Sequence, residues 1–197
     1  MEISFSIIDL FQKQFGITPL QYQFSSVDKR LDKLSETASK SKNGWPLYWD
    51  DAFGRAYFMP VFLQPDGTTD YIPLSYPVIT INCAKTIIST ALTERNGTVK
   101  EVIRLQDYEI KIRGFLVGQN NSWPEDGIIQ LHDLYKSLQP LKIICPLTDI
   151  FLLSEERSAN DKVVIKSLRF PEAKGDIKLC PYIMELVSDE DFNLNEI

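Results

Sequence analysis

Residues 78–117 read VITINCAKTIISTALTERNGTVKEVIRLQDYEIKIRGFLV, and this stretch decides the fold class. Val78 to Glu94 and Thr98 to Leu105 are extended runs rich in β-branched residues, joined across Asn96-Gly97. Asn-Gly favours the positive φ angles of a tight hairpin turn, so the flanking runs are expected to pair antiparallel. From Tyr108 to Gly114 apolar residues take every second position, which puts Tyr108, Ile110 and Ile112 on one face and Glu109, Lys111 and Arg113 on the other. The pattern predicts a three-stranded meander with one wet face. The run from Val78 to Glu94 exceeds the ordinary strand length of roughly 5 to 6 residues, so part of it is expected to project beyond its own sheet.

On the C-terminal side, a helix is predicted over 123–138. Ser122 followed by Glu125 has the spacing of a capping box, Pro124 falls in the first turn, Ile128, Leu131, Leu134, Tyr135 and Leu138 form an apolar stripe, and Pro140 ends it. Strands are expected at Leu141 to Cys145, Val163 to Phe170 and Ile177 to Val187, with a turn of helix at Leu147 to Leu153. Ser158 to Asp161 reads as a polar loop and Pro171 to Asp176 as a turn.

On the N-terminal side, Ile7, Ile8, Leu10, Phe11 and Phe15 gather on one face of a helix that Gly16 and Pro19 stop. Val27, Leu31, Leu34 and Ala38 make a second stripe, with Ser25 as its cap. Between Asn43 and Pro77, aromatic residues crowd among Gly and Pro, as in strands and turns that feed a core. The expected class is α+β and mainly β: an antiparallel β-barrel or sandwich with one flanking helix, plus N-terminal helices. Its expected divisions are a helical segment at 1–42, an aromatic-rich strand and turn segment at 43–77, the barrel or sandwich at 78–191, and a tail at 192–197.

Composition narrows the chemistry. The 197 residues are 44% hydrophobic and 24% charged, as in a globular protein that buries a core. A net charge of -6 disfavours nucleic acid as a partner, because the chain as a whole repels phosphate. The basic residues Lys29, Arg30, Lys33 and Lys40 alternate with Asp28, Asp32 and Glu36, as on a solvated helix face. Cys83, Cys145 and Cys180 each stand in an apolar, strand-like setting and are expected to be buried, reduced thiols. No Cys-x-x-Cys pair accompanies the single histidine, His132, so neither a metal nor any other cofactor is expected. His132 is expected at the surface or at the edge of its helix stripe. No apolar run is long enough to cross a bilayer, and the start of the chain does not read as a secretion signal, which points to synthesis in the cytoplasm.

No glycine-rich phosphate loop, Gly-x-Ser-x-Gly elbow or His-Glu-x-x-His helix is present. The acidic pairs Asp50-Asp51 and Glu155-Glu156 are neighbours in sequence, which does not set two acids across a cleft. The expectation is a protein without catalytic residues.

The segments Thr98 to Ile103, Asp107 to Leu116 and Trp123 to Asp126, followed by Lys162 to Ile165, Leu168 to Pro171 and Met184 to Asp189, resemble an uncharacterised domain family of Bacteroidetes phages and prophages. The resemblance covers about residues 78–191. It implies a structural protein of a phage tail, or of a related contractile injection apparatus, near the baseplate. The implied partners are other tail or baseplate subunits, in a homo-oligomeric ring or a hetero-assembly, and the implied destination is the virion tail or injection apparatus after synthesis in the host cytoplasm. The resemblance transfers no catalytic residues.

Two sets of residues are candidates for contact with something outside the chain. Ile7, Ile8, Phe11 and Phe15 form a stripe that packs either on the chain's own core or on another subunit. Trp45, Tyr48, Trp49 and Trp123 offer aromatic faces of the kind that stack on sugar rings, within an aromatic segment spanning 45–62.

Overall fold

A computed structural model of the chain describes residues 7–18, 44–50, 56–91, 97–118, 122–152, 162–172 and 178–189. The expected second N-terminal helix, Asn96 of the hairpin turn, the 158–161 loop and the 192–197 tail lie outside the described residues. The main body is one seven-stranded antiparallel sheet. Its strands are β3 (Phe62–Pro65), β4 (Ile72–Pro73), β5 (Val78–Asn82), β8 (Glu109–Val117), β9 (Leu141–Ile144), β10 (Lys162–Arg169) and β11 (Leu179–Ser188). They lie in the order β4-β3-β9-β10-β11-β8-β5. Two further pairs stand outside this sheet: β1 (Tyr48–Asp50) with β2 (Ala56–Phe58), and β6 (Lys85–Ala91) with β7 (Thr98–Leu105). The helices are α1 (Ile7–Phe15), α2 (Glu125–Lys136) and α3 (Thr148–Leu152).

The mainly β class with a flanking helix is therefore the one adopted, but the closed barrel is corrected. β4 and β5 end the sheet on opposite sides and do not pair with each other. β4 is two residues long and carries Pro73, which has no N–H to extend a ladder, so one end of the sheet is chemically closed to pairing.

Alternation along β8 organises both faces. Ile110, Ile112 and Leu116 point into the main core. There they meet Tyr182, Met184 and Leu186 of β11, Leu141 and Ile143 of β9, and Leu131 and Leu134 from α2. On the opposite face, Phe115 and Val117 form a second cluster with Tyr57, Tyr76 and Val78, and α1 covers it through Phe11 and Phe15. The remaining part of that face carries a polar network beside Val164 and Val187. Lys111 Nζ lies 2.7 Å from a Glu185 carboxylate oxygen, Ser167 donates to the other oxygen at 3.0 Å, and Asn82 donates to Glu109 at 3.2 Å.

Three expectations need correction. The predicted meander does not form, because the 78–94 run breaks at Cys83-Ala84 and β8 pairs with β5 and β11 instead of β7. The capping box does not cap α2: the helix begins at Glu125 with Pro124 in the N-cap position and no side-chain cap. Ser122 is instead held where its backbone carbonyl crowds Gly118, a position at which any Cβ would collide. Finally, Cys145 and Cys180 are buried free thiols as expected, but Cys83 is exposed, because the strand break places it at a turn of direction and not inside a sheet.

Candidate functional site

The break at Cys83-Ala84 creates the most exposed element among the described residues. β5 with β8 and β6 with β7 are two stretches of one long hairpin. The first lies in the main sheet, and the second leaves it as a two-stranded ribbon. The Gln106 N–H donates to the Ala84 carbonyl at 3.0 Å, and the Gln106 side chain donates to the Thr86 hydroxyl at 3.1 Å, so the junction is hydrogen-bonded. Pairing slips by one residue between Asn82↔Glu109 and Lys85↔Leu105, and by one more between Thr86↔Arg104 and Ile87↔Val102, where Ile103 is the extra residue. Such bulges bend a strand and increase its twist, which turns the ribbon out of the sheet. At the far end, Gly97 has φ 120°, a conformation open to glycine and strained for other residues.

Seven residues of extended chain carry the ribbon roughly 24 Å from the body. All eight residues of β7 are exposed, as are most of β6. Ile87, Ile88, Val99, Val102, Ile103 and Leu105 are between 44% and 67% exposed. Cross-strand partners share a face, so Ile87, Val102 and Leu105 lie on one side with Lys85 and Lys100, and Ile88 and Val99 lie on the other with Glu101 and Arg104. An isolated two-stranded ribbon is marginal in water, and apolar side chains on both faces gain nothing while they stay solvated. Their burial requires a second surface.

The candidates named from sequence are placed as follows. Ile7 lies in α1. Phe11 is fully buried beneath α1, with its ring centroid 5.1 Å from that of Phe115, and Ile8 and Phe15 pack against the same cluster. Ile8, Phe11 and Phe15 are thus turned inward within this chain. Trp45 and Trp49 both meet Phe62, at 6.4 and 5.0 Å between ring centroids, and Tyr48 meets Phe58 at 5.3 Å. Trp123 is exposed just before α2, and no ring contact among the described residues joins it to the other three. His132 is exposed on α2.

Among the described residues, no group of three or more His, Cys, Asp and Glu side chains is placed to hold a metal ion. No helix among them is long and apolar enough to cross a membrane. A groove of about 240 Å³ lies over the polar face of the sheet, lined in part by Thr80, Asn82, Glu109, Lys111, Lys166 and Glu185. Its acids face its bases: Lys111 pairs with Glu185, and Lys166 approaches Glu109 at 4.0 Å. Glu185 is held below the usual carboxylate range, chiefly by the hydrogen bond from Lys111 and then by that from Ser167. Three buried groups, Cys145, Cys180 and Tyr182, are pushed the other way by loss of water. The Cys145 thiol rises to about 11, and the Tyr182 hydroxyl is raised well above its ordinary value. The ribbon was only partly legible in advance: strand length signalled a projection, but its apolar side chains looked like those of a sheet interior.

Fold and surface together define a mainly β protein with an open antiparallel sheet and a projecting apolar ribbon. Residues 73–196 match the Domain of unknown function (DUF6046), and the chain belongs to that family. No curated protein matches it in sequence. Among solved structures, it is similar to a subunit of the tail of an empty GTA particle, computed with C6 symmetry, at 11% identity and TM-score 0.39, covering 68% of this chain and 92% of that one. It is also similar to a chain of the 6-fold symmetrised anti-feeding prophage (AFP) baseplate, at 10% identity and TM-score 0.42, covering 67% and 89%. A third is a chain of the extended sheath-tube complex of the PVC extracellular contractile injection system, at 13% identity and TM-score 0.37, covering 66% and 84%. At these scores the likenesses carry no argument about function.

Proposed function

We propose that the protein is a structural assembly subunit that acts by contact with other subunits and not by catalysis. The specific form of the reading is a component of a phage tail or baseplate, or of a related contractile injection apparatus, as the sequence resemblance implies. The observation that supports it is the ribbon of β6 and β7, which carries six large apolar side chains into solvent with no other strand among the described residues paired to it. On one face Ile87, Val102 and Leu105 adjoin one another, and an exposed apolar patch of this kind marks an interaction site.

The test is light scattering on the full chain over a range of concentrations, alone and mixed with the products of the adjacent reading frames. The expected result is a defined species larger than the monomer, lost in the Ile87→Asp/Val102→Asp variant. Both residues are exposed, so the variant should melt within a few degrees of the parent, consistent with the small effects of surface substitutions, about 0.5 kcal/mol. A chain that remains monomeric in every mixture contradicts the reading.

A further inference from the structure

The ribbon's charge is opposite in sign to that of the body. Lys85, Lys100 and Arg104 outnumber Glu101 in β6 and β7, whereas the whole chain carries a net charge of -6. The rest of the molecule is therefore more acidic than the total, and another copy of the same chain attracts the ribbon.

The body also carries a surface of matching form. On α2, Ile129 is half exposed, and Glu125, Asp126 and Asp133 stand four residues before, three before and four after it, within the same exposed stripe. Three of the four neighbours of this apolar centre on the helix surface are thus acids, and the fourth is His132. On one face of the ribbon the arrangement is reversed in sign: Ile87 and Val102 form the centre, with Lys85 in the row before and Lys100 in the row after. Those two rows are four residues apart, roughly 13 Å along a strand, and Asp126 and Asp133 are seven residues apart, roughly 10 Å along a helix. Lysine side chains span the difference.

We infer that the ribbon of one copy docks on the outer face of α2 of a second copy, with Ile87 and Val102 against Ile129 and Lys85 and Lys100 against Asp126 and Asp133. This deepens the assembly reading and rests on it. The two surfaces lie on different parts of the chain, so the contact is head-to-tail and propagates into a ring or a helical stack. One ribbon face covers much less than the roughly 800 Å² per partner of a standard interface, so a single contact is weak and association depends on concentration and salt.

Reciprocal charge reversal tests this, with self-association of the full chain read by light scattering. Lys85→Glu/Lys100→Glu and Asp126→Lys/Asp133→Lys are each expected to weaken association about tenfold or more. An equimolar mixture of the two variants is expected to restore it, because each supplies the surface the other now matches. Should lysine in the first turn weaken α2 through the helix dipole, Asp133→Lys alone keeps the reversed sign. Two results would overturn the inference while leaving assembly intact: the α2 variants associate like the parent, or the mixture fails to recover. A third is a parent chain that is monomeric alone yet binds the products of adjacent reading frames. If it associates with nothing in any mixture, the assembly reading falls with it.

Discussion

Gly114 lies in β8 where the Tyr182 hydroxyl crosses to donate to the Ser75 carbonyl at 2.9 Å. A Cβ at this position would land on the Tyr182 ring and on that carbonyl. Neither can yield: Tyr182 is fully buried and Ser75 contributes backbone. Gly114→Ala is accordingly expected to destabilise the fold by about 1–3 kcal/mol, the usual cost of overpacking, and a denaturant midpoint measures it. Alternation along residues 108–114 was plain in the sequence, but the need for glycine was not, because the crossing side chain comes from β11. Cysteine burial was legible at two positions out of three. Cys145 and Cys180 sit in the core with raised pKa values, whereas Cys83 marks the strand break and is exposed. A thiol reagent at pH 8 should modify one cysteine per native chain at once and the other two only on unfolding; early labelling of Cys145 would contradict the packing described.

At the scale of elements, the hairpin from Val78 to Val117 shows where local pattern suffices and where it does not. Antiparallel pairing of β6 with β7 followed from Asn96-Gly97, and the two-faced character of β8 followed from its alternating residues. Partner choice did not. β8 lies between β5 and β11, and the contact of α1 with Phe115 joins residues about a hundred positions apart, which no local signal encodes. The Lys111–Glu185–Ser167 ladder ties β8, β11 and β10 across the polar face. Because the folded Glu185 pKa lies below its unfolded value, its contribution to stability is present above the unfolded pKa and is lost as pH falls through the folded one. Both side chains are more than a third exposed, so water and salt screen the pair and the contribution stays below about 1 kcal/mol. Glu185→Gln is expected to flatten the loss of stability below about pH 5, most visibly at low ionic strength. An unchanged acid slope would show that the ladder holds no linked stability.

At the scale of the whole molecule, the chain divides its apolar surface in two. The main core and the α1 cluster bury theirs internally, and the ribbon leaves its own in solvent. Composition could not show this division, since β-branched residues read alike in a sheet interior and on a ribbon; the strand's excess length was the available signal. The most direct test is amide hydrogen exchange at residues 85–91 and 98–105, compared between dilute monomer and the assembled state. The ribbon is predicted to exchange quickly in the monomer and to gain protection on assembly, by at least about tenfold, while the core strands change little. An assembly that forms while these amides still exchange at their monomer rates would contradict the claim that the ribbon is the surface through which the protein works.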